Sequence, residues 1–281
     1  RIDEGKDTLG FIGYVDEGDT FVTTESYDVC LRATAAWIRA VNESLGIGGA
    51  TKTAATTISL ALTRPPGHHA TKTLSNGFCL FNFAAAAAVH AMSINPNLKV
   101  SVLDWDVHYG QGVADILSSY PRARYVSVHQ TPAFPYEGEK RMVRGEHRNI
   151  LTVPIPPDST WTCGYREIFE TIALPFVCNS DDLGNDDGWE PDLVIVCAGY
   201  DALDSDELAS CSLTAKNFGE MTRMLKEKVG LMQPVGDDLG TSKDGKRRPG
   251  LMLGLEGGYQ LKDGAAGGNL ADAILETIKA L

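Results

Sequence analysis

The chain has no Cys-x-x-Cys pair, although it carries six cysteines: Cys30, Cys79, Cys163, Cys178, Cys197 and Cys211. Such spacing offers neither a thiolate zinc site nor a disulfide frame, and it fits a reducing, intracellular setting. Also missing is any apolar run of the roughly 18–20 residues that a membrane span requires. The alanine-rich stretch 83–89 is too short and is flanked like a buried helix. No signal peptide and no internal repeat is visible. Basic residues are in deficit, 25 Lys and Arg against 37 Asp and Glu, for a net charge of −12. That balance opposes direct nucleic-acid binding through a basic face. It favours approach of a cationic substrate such as a lysine-rich peptide or a polyamine. With 43% hydrophobic and 22% charged residues over 281 positions, the composition is that of an ordinary globular protein, read here as a single α/β domain over 1–281.

Five apolar segments, 58–62, 100–103, 125–128, 193–197 and 251–255, are short and rich in Val, Ile and Leu without strict alternation. Buried strands of a parallel sheet covered on both faces have this character. Helical patterns lie at 25–45, 80–92, 112–119, 163–177, 214–229 and 268–281. The first carries Val29, Ala33, Ala36, Trp37, Ala40 and Val41 on one stripe, and Thr214 is placed to cap the fifth. Alternating strands and helices predict a doubly wound parallel sheet. Two stretches dense in Asp, Asn, Gly, Lys and Arg, 179–189 and 233–250, read as solvated surface insertions.

Chemistry gathers where the strands end. After the first comes Arg64-Pro-Pro-Gly-His-His69, after the second Asp104-Trp-Asp-Val-His108, after the third His129. The fourth leads to Ala198-Gly-Tyr-Asp201 and the fifth to Glu256-Gly-Gly-Tyr259. Ligands of open parallel sheets bind at the carboxyl ends of the strands, so these exits converge on one edge. Asp106 and His108 stand two residues apart in extended chain and project to the same side. With Asp201 they make a one-histidine, two-carboxylate set for one catalytic divalent cation, zinc first among candidates. His68 and His69 are the candidate bases: one to take a proton from the attacking water and return it to a leaving amine, the other to stay charged. Asp104 is placed to orient His68 and hold its tautomer. Tyr259 offers a phenol to the carbonyl oxygen. His90, His129, His147 and Glu256 read as structural.

The motifs Arg-Pro-Pro-Gly-His-His-Ala (64–70), Gly-Phe-Cys-Leu-Phe-Asn (77–82), Leu-Asp-Trp-Asp-Val-His (103–108), Ser-Val-His (127–129), Ala-Gly-Tyr-Asp-Ala (198–202) and Leu-Glu-Gly-Gly-Tyr (255–259) jointly resemble the zinc-dependent histone deacetylases. The wording is that of the class II branch, which includes bacterial, plastid and polyamine-directed amidohydrolases. The resemblance runs from about Asp19 to Tyr259. It implies the arginase–deacetylase α/β fold and hydrolysis of Nε-acyl-lysine by water activated at one zinc ion per chain. It also implies a narrow acyl-lysine channel of Gly77, Phe78 and Phe134 with Leu208 on its rim. Asp19 would grip substrate backbone amides. Main-chain oxygens of Asp104, Asp106, His108 and Val128, with the Ser127 hydroxyl, would hold potassium.

The chain departs from the family pattern in several places. Gln111 stands for an Asp or Asn behind the second histidine, Tyr109 for a histidine, Phe83 for an asparagine, and Tyr136-Glu137 for Gly-Thr after Phe134. The family's first strand and its loop are not found ahead of Arg1, from which a more open site is expected. Two other enzyme readings exist. Deacetylation of acylpolyamines would want an acid at the rim, where Leu208 stands beside Glu207. A two-manganese ureohydrolase would want Asp-x-His-x-Asp, where Gly110 takes the last position. The non-enzymatic alternative is a catalytically weak fold acting through binding.

Overall fold

The computed structural model describes residues 10–16, 18–47, 58–178, 188–232, 248–262 and 266–281. Its centre is a seven-stranded sheet in the order β3-β9-β8-β4-β5-β7-β6. The strands are β3 (Ile58–Ala61), β4 (Val100–Asp104), β5 (Ala123–Gln130), β6 (Met142–Arg144), β7 (Ile150–Ile155), β8 (Leu193–Ala198) and β9 (Gly250–Leu255). Every neighbouring pair runs parallel except β6, which closes one edge antiparallel to β7. A separate hairpin, β1 (Phe11–Tyr14) with β2 (Phe21–Thr23), precedes the sheet.

Alternation along the strands sends side chains to two cores. Ile195, Cys197, Val100 and Met252 face α1 (Ser26–Ser44), α2 (Phe83–Ile94) and α3 (Gln111–Leu117). Val194, Val196, Leu251 and Leu253 face α5 (Leu174–Cys178), α6 (Ala215–Lys228) and α7 (Leu270–Ala280). Helix α4 (Tyr165–Ile168) joins α5 through a π-helical turn, Phe169–Ala173. Helices on both faces of a mostly parallel sheet make the doubly wound architecture expected from the sequence. The alanine-rich α2 lies wholly within this frame: Asn82 caps it by accepting the Ala85 N–H at 2.9 Å, and Ala84, Ala85, Ala87, Ala88 and Ala91 are buried. Thr214 does begin α6, where its N–H and hydroxyl both donate to Asn217 Oδ1.

Some expectations need correction. Strand β7 escaped notice because Pro154 sits inside it and proline cannot donate to a ladder; it pairs opposite His129 all the same. On α1 the buried stripe contains Cys30 in place of Val29, which is exposed. Most of the stretches 179–189 and 233–250 lies outside the described residues. Their described ends belong to the core, since Trp189 is buried with its Nε1 donating to Ser101 Oγ and Gly250 opens β9. All six cysteines are free, and only Cys163 is exposed. Among the described residues no helix is long and apolar enough to cross a membrane.

One contact sets how closely α1 approaches the sheet. Trp37 is fully buried over Gly254 of β9, and a Cβ built there would stand 2.1 Å from its ring carbons Cζ2 and Cη2. Gly254→Ala therefore overpacks this face. Urea denaturation should show a loss of about 1–3 kcal/mol or more; an unchanged midpoint would contradict the packing.

Candidate active site

The run after β4 is held by its own carboxylates. Asp104 Oδ1 accepts the Asp106 N–H at 3.1 Å, and Asp106 Oδ1 accepts the His108 N–H at 2.9 Å. Each bond spans two residues, the Asx-turn habit of aspartate. Two other strand exits are tied to the same groups: Asp201 Oδ1 accepts the Val107 N–H at 3.0 Å, and Asp106 Oδ2 accepts the Gly257 N–H at 2.8 Å. The carboxylates therefore fasten the ends of β4, β8 and β9 together.

One ligand atom from each of Asp106, His108 and Asp201 lies within 4.8 Å of the others. His108 Nδ1 stands 3.0 Å from Asp201 Oδ2 and 3.3 Å from Asp106 Oδ1. Both aspartates are buried. The wall beside them is glycine by necessity, because a Cβ on Gly257 would fall 2.1 Å from Asp201 Oδ2 and 2.5 Å from Asp106 Oδ2. Two buried carboxylates and an imidazole nitrogen aimed at one point, open on one side to a cavity, suit a divalent cation of the catalytic zinc type. Burial opposes charge on His108, but Asp201 and Asp106 outweigh it and raise its pKa to about 11. Asp201 itself is raised to about 6, by burial first and by Asp106 second. A cation here answers the same two negative charges that the proton on His108 answers.

Beside this cluster the two histidine rings lie 4.0 Å apart between centroids. His68 Nδ1 is 3.1 Å from Asp104 Oδ2, which also accepts the Tyr125 hydroxyl at 2.7 Å. His69 Nδ1 is 2.7 Å from Gln111 Oε1, while Gln111 Nε2 donates to Asn76 Oδ1. Burial lowers both imidazoles, yet Asp106 and Asp104 reverse this for His68 and lift it to about 10. His69 stays well below its ordinary value, through burial and then through the charge on His68. The pair is thus split into one charged and one neutral ring. The Tyr259 phenol is pushed far above its usual range by burial, Asp201 and Asp106, so it keeps its proton.

A cavity of about 300 Å³ opens over these groups. Asp19, Gly77, Phe78, Phe134 and Leu208, all expected as channel residues, line it together with Tyr259, both histidines and the three candidate ligands. Phe134 meets the His69 ring edge-on at 4.8 Å, and Phe78 meets Tyr259 at 5.7 Å. A Cβ at Gly77 would lie 2.6 Å from both His69 and Phe134, and its φ of +56° is one that glycine adopts freely. Asp19 is exposed at the mouth, fixed by its N–H to Asp16 Oδ1. Tyr136, at a position where the sequence departs from the family pattern, also lines the mouth.

The residues named for potassium lie on adjacent strand ends, with Asp104 beside Ser127 in register. The Ser127 hydroxyl is engaged with His129 Nδ1 at 2.9 Å. His129 and Glu256, read from the sequence as structural, are buried. Glu256 accepts the N–H groups of Gly67 and His68, and His129 reaches the Gly138 carbonyl. Sequence reasoning missed Tyr125, although polar groups at 125, 127 and 129 of a buried strand share one face and could have flagged it. It also missed Arg64 as more than a motif letter, and Asp206 altogether.

A family profile described as "Histone deacetylase domain" matches residues 2–271. An uncharacterized protein of Synechocystis sp. is 37% identical over 265 residues, 94% of this chain and 73% of that protein. Histone deacetylase 15 of Arabidopsis thaliana is 32% identical over 227 residues, 78% of this chain and 35% of its own length. Polyamine deacetylase HDAC10 of Homo sapiens is 30% identical over 249 residues, 86% of this chain and 32% of its own. The chain thus spans about a third of either named deacetylase. Among solved structures, the HDA15 HD domain superposes with a TM-score of 0.73 at 26% identity, covering 96% of this chain and 66% of that one.

Proposed function

Because the chain belongs to the histone deacetylase family, we propose that it hydrolyses the side-chain amide of Nε-acyl-lysine, acetyl-lysine foremost, at a cation held by Asp106, His108 and Asp201. One observation carries the reading: three mutually facing ligand atoms, two histidine rings 4.0 Å apart and the Tyr259 phenol all border the same 300 Å³ cavity. The donor set of two carboxylates and an imidazole suits zinc, and potassium is a candidate for the main-chain oxygens beside Ser127.

When bound, zinc supplies Lewis acidity to the acyl oxygen and lowers the pKa of water. The protein's own groups do the rest. Gln111 Oε1 only accepts, so His69 Nδ1 carries its proton and Nε2 is left as the acceptor. His69 takes a proton from the attacking water as the oxygen–carbon bond forms, then delivers it to the departing amine as the carbon–nitrogen bond breaks. His68, its Nδ1 3.1 Å from Asp104 Oδ2, places its ring next to the developing oxyanion. Tyr259 donates its hydroxyl hydrogen bond to that oxygen. Phe78 and Phe134 exclude water from the lysine methylenes. The products are a carboxylate and a free amine.

A second reading, a small acylated polyamine as substrate, is favoured by the similarity to the human polyamine deacetylase and by the acidic balance of the chain. Against it, the rim position is Leu208, and the neighbouring Glu207 carboxylate lies 3.5 Å from Lys262 Nζ. Metal analysis of the purified protein and parallel assays on an acetyl-lysine peptide and acetylspermidine separate the readings. We expect zinc at one per chain and kcat/KM for the peptide higher by about tenfold or more. The reverse ratio selects the polyamine reading; turnover of neither amide, with zinc bound, rules out both.

A further inference from the structure

We propose that Arg64 and Asp206 are positioning residues that hold Tyr259 at the acyl site, one gripping the carbonyls before it and the other the amides at and after it. The inference rests on Tyr259 being the hydrogen-bond donor proposed above.

Tyr259 follows Gly257 and Gly258, and Gly258 has a φ of +113°. A glycine pair loses the most conformational freedom on folding and has no side chain of its own to fix it. The ring is therefore aimed by whatever holds its peptide groups. Arg64, from the loop after β3, donates through Nη1 to the Glu256 carbonyl at 2.7 Å and through Nη2 to the Gly258 carbonyl. Its guanidinium carbon also lies 5.1 Å from the Tyr259 ring centroid, over the ring face. Planar, forked donors suit two carbonyls at once, which a single ammonium cannot match.

On the other side stands Asp206, from the loop after β8 and buried. Its Oδ2 accepts the N–H groups of Tyr259 and Gln260 at 2.7 and 3.2 Å. Its Oδ1 accepts the Leu208 N–H at 3.0 Å. One carboxylate thus ties the tyrosine turn to Leu208, the rim residue beside it. Charge-assisted bonds of this kind are the stronger ones, and here four of them converge on three peptide groups between residues 256 and 260.

Arg64 should then act on turnover through Tyr259, and Asp206 through Tyr259 and the Leu208 rim it also holds. Arg64→Ala is expected to lower kcat about 10–100-fold, the cost of misplacing a catalytic group by about 1 Å, with KM and zinc content near those of the parent. Added to Tyr259→Phe, the same change should lower kcat by no more than about twofold further. Hydrogen–deuterium exchange over 256–261 should quicken in Arg64→Ala. Asp206→Asn, which keeps one acceptor oxygen, should retain more activity than Asp206→Ala, and this pair carries the test if Arg64→Ala does not fold. An equal fall in both backgrounds, or an effect on KM alone, overturns the proposal. If Tyr259→Phe keeps full turnover, the donor role is what fails, and exchange over 256–261 still reports whether the two side chains hold the turn.

Discussion

Alanine in place of Asp106 should strip the protein of its metal and of its turnover together. Partners that merely orient a ligand cost 10–100-fold in affinity or activity when removed. A direct ligand in a three-donor site should cost more than about 100-fold in zinc affinity, and turnover should fall with it. Asp106 is also the hub of the strand exits: its two oxygens accept N–H groups from His108 and Gly257, and its Oδ1 stands 3.7 Å from His68 Nε2. Asp106→Asn is the milder change, since the amide keeps one of the two acceptor oxygens while removing the negative charge. Metal content by mass spectrometry, beside thermal unfolding and turnover, reads all three. Full zinc occupancy in Asp106→Ala would remove this residue from the ligand set.

Much of this arrangement was legible in the sequence because parallel strands bury both faces. Runs such as Leu-Val-Ile-Val-Cys and Val-Ser-Val-Leu can hardly be anything else, and polar residues at their carboxyl ends need a reason to be there. Five exits were marked, and the structure brings the groups of four to one cavity, while His129 of the third lies buried outside its lining. What escaped was of a different kind. Strand β7 hid behind Pro154, β6 and the β1–β2 hairpin are too short to print a period, and the antiparallel edge has no local signature. Asp206 looked like one more acid in Asp-Ser-Asp-Glu; its value comes from three N–H groups that the chain delivers from Leu208 and from residues 259 and 260. Backbone hydrogen-bond demand is invisible to side-chain patterns. The histidine pair was more legible: Asp104 was expected to orient His68 and Gln111 to stand behind His69, and the structure has them at 3.1 and 2.7 Å from the two Nδ1 atoms.

Tyr259→Phe should do the opposite of Asp106→Ala: keep the metal and lose the chemistry. The phenol contributes no ligand atom to the cluster of Asp106, His108 and Asp201, so removing one oxygen leaves the donor set whole. Arg64 over the ring face and Phe78 at its edge contact the aromatic body, which phenylalanine retains, so the cavity should keep its shape. What disappears is a donor whose proton is secured by burial beside two carboxylates. Removing one oxyanion donor costs about 10²–10³ in kcat, or about 2.7–4 kcal/mol of barrier. The ground-state carbonyl needs that hydrogen bond far less than the charged oxygen does, so KM should move little. Steady-state kinetics with zinc content measured on the same samples decide it. A fall confined to KM would make Tyr259 a binding contact, and unchanged kinetics would leave the acyl oxygen to the cation and His68.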